Sequence, residues 1–134
     1  MEGLTILRTA LKGNGFFSLA TVALTLLLGK SVTAINEMAN GQPTAFSIQL
    51  LVFAAVVLIS AYRQKVSTLL VWIIIVLDIL YVFLGFYNLF AIASQISTGG
   101  KLLIIVTNVM VALFAIFQTI GIIRYRKSLK TITE

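Results

Sequence analysis

The sequence predicts an all-α integral membrane protein, a four-helix bundle with both termini in the cytoplasm. Three observations predict it. The 134 residues are 60% hydrophobic and only 10% charged, whereas soluble domains carry about 25% charged residues. With a mean hydropathy of +1.08, a chain this short has too little interior to hide its apolar surface from water. The apolar residues gather into four segments, each close to the roughly 20 helical residues that cross a bilayer. The basic residues flank those segments with a strong bias to one side.

The first segment is expected over about residues 15–35. Its start, "LRTALKGNGFFSLATVALTLLLGKSVTA", is basic, then apolar, then small at Val32-Thr33-Ala34. A signal peptide has that order too; here the segment is read as a helix that stays. The linker "AINEMANGQPT" holds Asn40-Gly41 and Pro43, the sole proline, all turn formers. The second segment covers about 46–62 and ends at the basic linker "RQK". The third covers about 68–91, the linker "SQISTGG" follows, and the fourth covers about 101–123. A short basic tail, 124–134, completes a single transmembrane domain. No proline falls inside a segment, which argues against the broken helices of larger transporters.

Charge sets the expected topology. Arg8, Lys12, Arg63, Lys65, Arg124, Arg126, Lys127 and Lys130 all fall on one side of a four-span chain, leaving Lys30 and Lys101 on the other. The positive-inside rule makes the crowded side cytoplasmic and the location the cell membrane. Four spans in a little over a hundred residues is the size of the small multidrug exporters and the dual-topology fluoride channels. Neither resemblance holds. Both insert in two orientations with little charge bias, and their membrane-embedded Glu and their Phe/Thr/Ser filter, respectively, are missing.

One acid interrupts this apolar chain. Asp78 sits within "VWIIIVLDILYVFLGFYNLF", about ten residues and roughly 15 Å from the cytoplasmic end. It does not prevent insertion. A central Asp costs about 3 kcal/mol on the insertion scale, and the sixteen Leu, Ile, Phe and Val residues between Leu69 and Phe90 outweigh it at about −0.3 to −0.6 kcal/mol each. Helical spacing then sorts the polar residues into stripes. Asp78, Tyr81, Gly85 and Asn88 share one face of the third segment. Asn14, Ser18, Thr21 and Thr25 share one face of the first, and Asn108, Ala112, Ala115 and Thr119 one face of the fourth, with Gln118 at its edge. Lipid would leave such groups unpaired, so the stripes must converge inside the bundle. The expected polar core, or ion or solute site, is Asp78, Tyr81, Thr21, Thr25, Asn88, Asn108 and Gln118. With no cation expected at its depth, the acid is expected to hold its proton and to bond Thr or Gln.

The residue inventory excludes much chemistry. Without Cys or His, the chain has no thiolate or imidazole for nucleophilic, redox or structural metal work. Glu2, Glu37 and Glu134 fall in termini or the outer linker, so Asp78 has no carboxylate partner. An enzyme is not expected, nor a cofactor, nor a metal centre. The basic residues bracket apolar segments instead of forming a face, so no nucleic acid is expected; the expected partners are the lipid bilayer and a second copy or another membrane protein. Two functions remain: a self-associating or accessory subunit module, which polar packing stripes favour, or a minimal oligomeric transporter or channel that moves a proton, cation or small solute with Asp78 as its exchange site. An empty polar cavity reaching Asp78 from one side would favour the second; Asp78 saturated by Thr and Gln with no cavity would favour the first.

Overall fold

A computed structural model describes residues 2–133, with side chains through residue 130. The described chain is all helical: α1 (Glu2–Leu28), the short α2 (Thr33–Met38), α3 (Pro43–Tyr62), α4 (Thr68–Ile92), a 3₁₀ turn (Ala93–Gln95) and α5 (Thr98–Thr133). Four of these, α1, α3, α4 and α5, are long and apolar enough to cross a membrane.

The helix bounds differ from the sequence expectation most in two places, the first segment and the tail. The first helix begins at Glu2, not near residue 15, and stops at Leu28 instead of continuing to 35. Glu2 places negative charge at the positive end of the helix dipole, and the helix runs through Gly13-Asn14-Gly15 because neighbours pack into the notches those glycines leave. A Cβ on Gly15 would meet the Leu58 side chain, and one on Gly13 would meet Phe114. Beyond Leu28 the chain turns at Gly29, and α2 buries Ile35 and Met38. A reversal with positive φ at Asn40 (56°) and Gly41 (73°) then leads into α3, whose first turn holds Pro43 where its missing N–H costs nothing. The second difference is the tail. Residues 124–133 continue α5 without a break, since the run from Arg124 onward contains no Pro or Gly to stop a helix.

The long helices run antiparallel in the spatial order α3, α1, α5, α4. Helix α1 packs lengthwise on α3 and α5, α5 also packs on α4, and α2 lies against α5; α3 and α4 meet only sparsely. Helices α1 and α5 cross closely. A Cβ on Gly121 would lie 2.7 Å from the Leu7 Cα, and one on Gly3 would lie 2.5 Å from the Tyr125 backbone nitrogen. Small residues permit this backbone approach.

Side chains divide the bundle into two apolar ends with a polar level between them. At the basic end Leu7, Leu11, Val57, Ile74, Ile75 and Ile122 form one cluster; at the other, Ile35, Met38, Leu89 and Ile104 form a second, joined by Phe86. Phe83, Tyr87 and Phe90 of α4 point outward, each at least 70% exposed, whereas Phe86 packs inward. The basic end also collects charge. Arg8 donates from Nη1 to the Ala61 carbonyl and from Nη2 to the Gln64 carbonyl, both at 3.0 Å. The Lys12 Nζ lies 4.9 Å over the Tyr62 ring, and Arg124 sits 3.9 Å from Glu2. Arg8 therefore closes the C-terminal end of α3. Its replacement by alanine is expected to cost about 1–2 kcal/mol, read as a lowered unfolding midpoint in detergent, while Arg126→Ala in the last turns of α5 is expected to change little.

Candidate functional site

The middle level is built by three side chains from three helices. Asp78 of α4 is 2% exposed, and Asn14 of α1 and Gln118 of α5 are fully buried. The Asn14 Nδ2 donates to the Asp78 Oδ2 at 2.9 Å and also to the Gln118 Oε1 at 2.9 Å. The Gln118 Nε2 donates to the same Asp78 Oδ2 at 2.8 Å. The three form a closed ring, and both amide donors fall on one carboxyl oxygen. Asp78 Oδ1 accepts from none of the described residues. The Asn14 Oδ1 is buried without a partner.

Sequence spacing brought α1, α4 and α5 to one centre, but the α1 residue that bonds Asp78 is Asn14, not Thr21 or Thr25. A helix expected to begin near residue 15 has Thr21 and Thr25 at mid-depth. A helix that begins at Glu2 has Asn14 there, roughly two to three turns nearer the basic end. The threonines satisfy themselves instead: Thr21 Oγ1 donates to the Phe17 carbonyl and Thr25 Oγ1 to the Thr21 carbonyl. Such back-bonding spends the hydroxyl donor on the helix's own backbone.

Beside Asp78 lies a cavity of about 370 Å³. From α1 it is lined by Asn14, Phe17, Ser18 and Thr21, from α4 by Leu77, Asp78 and Tyr81, and from α5 by Thr107 and Val111. Helix α3 supplies the longest wall, from Val56 through Phe53 and Gln49 to Phe46. The cavity thus starts at the level of Asp78 and extends away from the basic end, where the apolar cluster around Leu11, Ile75 and Ile122 closes it off. Its mouth lies where α3 and α4 fail to pack: Val52 and Leu77 line it and are 61% and 45% exposed on the outer surface.

Of the expected site residues, Asp78, Tyr81 and Thr21 line the cavity, and Gln118 reaches it through Asp78. Tyr81 stands beside Thr107. Thr25, Asn88 and Asn108 do not join the lining. Asn88 is half-buried on α4, and Asn108 is buried against Gly85 with its Nδ2 unpartnered. Asn14 and Thr107 were missed as site members. The stripe containing Asn14 was visible, but its depth was not. Thr107 sits one residue from Asn108 and had no spacing signal of its own. Among the described residues no cluster of acids has the makings of a metal site. Compared with known proteins, the chain matches no family model, no curated protein and no solved structure.

Proposed function

We propose that the chain is a multi-pass membrane protein of the cell membrane that exchanges a proton for a cation at Asp78, a minimal carrier with both termini in the cytoplasm. The carrying observation is the half-clamped acid on the cavity wall: two amides hold Oδ2, while Oδ1 has no donor. An acid kept only to tie helices together would have both oxygens used and no space beside it. With Oδ2 occupied, Oδ1 is the seat of the proton, and it is the oxygen that a cation would take over. The apolar cluster at the basic end closes the cytoplasmic side, and the cavity leaves the other half accessible. Carrying requires the reverse arrangement as well, and a closely packed bundle of four short helices makes an oligomer its natural setting. No catalysis is proposed. The charge distribution supports the orientation, since the basic end gathers Arg8, Lys12 and the α3–α4 linker together.

Proteoliposomes holding a pH indicator test this reading. An imposed K⁺, Na⁺ or 2-phenylethylammonium gradient should drive proton counterflow with at least one of the three in the native protein. Asp78→Asn should reduce it to the empty-liposome rate. Equal counterflow in native protein and variant, or none with any cation, removes the carrier reading.

A second reading, the accessory module, has one observation in its favour. The outer faces of α4 and α5 form an apolar groove of about 360 Å³ lined by residues including Ile79, Val82, Ala112, Ala115 and Ile116, a shape suited to a helix of another subunit.

A further inference from the structure

The proposed exchange site, taken as described above, carries enough detail to name the chemical class of its cation. Two acceptors at its centre take no hydrogen bond from the described residues: Asn14 Oδ1, which is fully buried, and Asp78 Oδ1, which neither amide donor reaches. They belong to residues joined by a single 2.9 Å hydrogen bond, and both residues line the cavity. Asn14 Oδ1, buried without a donor, carries a desolvation penalty, and Asp78 Oδ1 is left open to a donor from the cavity, so the two call for a ligand rich in N–H or O–H. The carboxyl group calls for positive charge. The rest of the chamber calls for hydrocarbon: its wall includes Phe17, Phe46, Leu50, Phe53, Val56 and Val111. Asp78 and Tyr81 of α4 are the titratable residues of the lining, and α1, α3 and α5 contribute none, so a single positive charge is matched and a second is not. A volume of about 370 Å³ falls in the range that holds small organic ligands.

We infer that the chamber binds a primary ammonium ion carried on an apolar body, with the –NH₃⁺ group donating to Asp78 Oδ1 and Asn14 Oδ1 and the body lying among the phenylalanines. A bare inorganic cation leaves the apolar wall without a use. A quaternary ammonium fits the wall and the charge but has no N–H for Asn14. Entry is lateral. The mouth between α3 and α4 is bordered by exposed apolar residues, Val52 and Leu77, so an amine already dissolved in the bilayer reaches Asp78 without crossing the apolar seal at the basic end. The exchange balances simply: the ammonium docks on the carboxylate, and the proton formerly on Asp78 Oδ1 leaves through the same cavity.

Radiolabelled 2-phenylethylammonium on the full-length protein in nanodiscs tests this, with its N,N,N-trimethyl analogue as competitor. Saturable binding is expected in the native protein, with the trimethyl analogue weaker by about tenfold or more, the worth of a hydrogen bond to a charged group. Asp78→Asn is expected to lose binding. Val56→Phe, which fills the chamber while leaving the acid intact, is expected to weaken it to a similar degree. Equal competition by the trimethyl analogue overturns the two-acceptor assignment and needs no variant at all. Undiminished binding in Val56→Phe overturns the location. An absence of amine binding alongside Asp78-dependent K⁺ or Na⁺ exchange overturns this inference while leaving the carrier standing. Absence of every Asp78-dependent exchange removes both.

Discussion

Gly121→Leu is expected to be among the most damaging single substitutions in the chain. Even a methyl group there would sit 2.7 Å from the Cα and backbone nitrogen of Leu7, atoms that cannot rotate aside, so α1 and α5 must separate along their length. Overpacking of this kind costs about 3 kcal/mol. Gly121→Ala should fall between this value and native. Gly99→Ala provides the contrast, because its added methyl would meet only the Ala34 Cβ at 3.2 Å and should cost well under 1 kcal/mol. Denaturant titration in mixed micelles, followed by circular dichroism, reads all three. Equal stability of Gly121→Leu and native protein would show that the close crossing does not exist.

The second large effect is expected at the ring of Asn14, Gln118 and Asp78. Gln118→Leu removes a donor to the acid and the acceptor of Asn14 at once. Asn14→Leu removes the other donor and strands Gln118 Oε1. Each should cost about 1–3 kcal/mol, because buried polar groups are left unpaired. The double variant should cost less than the two singles added together, since the first substitution already opens the ring and members of one network do not act independently. A double-mutant cycle measured by denaturant unfolding gives the coupling directly, and strict additivity would mean the three side chains do not act together. Stability is one readout and exchange is the other: with a single donor remaining, Oδ2 is no longer fixed, and counterflow should fall even in a variant that folds.

Much of this architecture could be read from the order of residues. Four apolar segments, the isolated acid and the three polar stripes required only hydropathy and helical period, and these are the properties that packing does not alter. Depth was harder. Arg8 and Lys12 look like flanks beyond a helix, and as flanks they push the expected first span toward residue 15. In the structure they lie within α1 and reach sideways, Arg8 to the α3 carbonyls and Lys12 to the Tyr62 ring. A basic side chain with a long stem can serve a helix end from inside a helix. Its sequence position therefore marks the boundary only to within about three turns, and an error of that size exchanges Thr25 for Asn14. The cavity was beyond reach for another reason. It exists because α3 and α4, though consecutive, meet only sparsely, and the five-residue linker between them, 63–67, suggests the opposite.

The order α3, α1, α5, α4 also bears on biogenesis. A ribosome delivers the acid-bearing helix before the last one is made, and that helix has few contacts with either of the earlier long ones. Until residue 118 emerges, Asn14 is the one ring donor already synthesised, and the segment carrying Asp78 has no long neighbour to lie against. Helix α5 is thus the latch of the assembly: until it is in place, Asp78 keeps only one of its two amide donors.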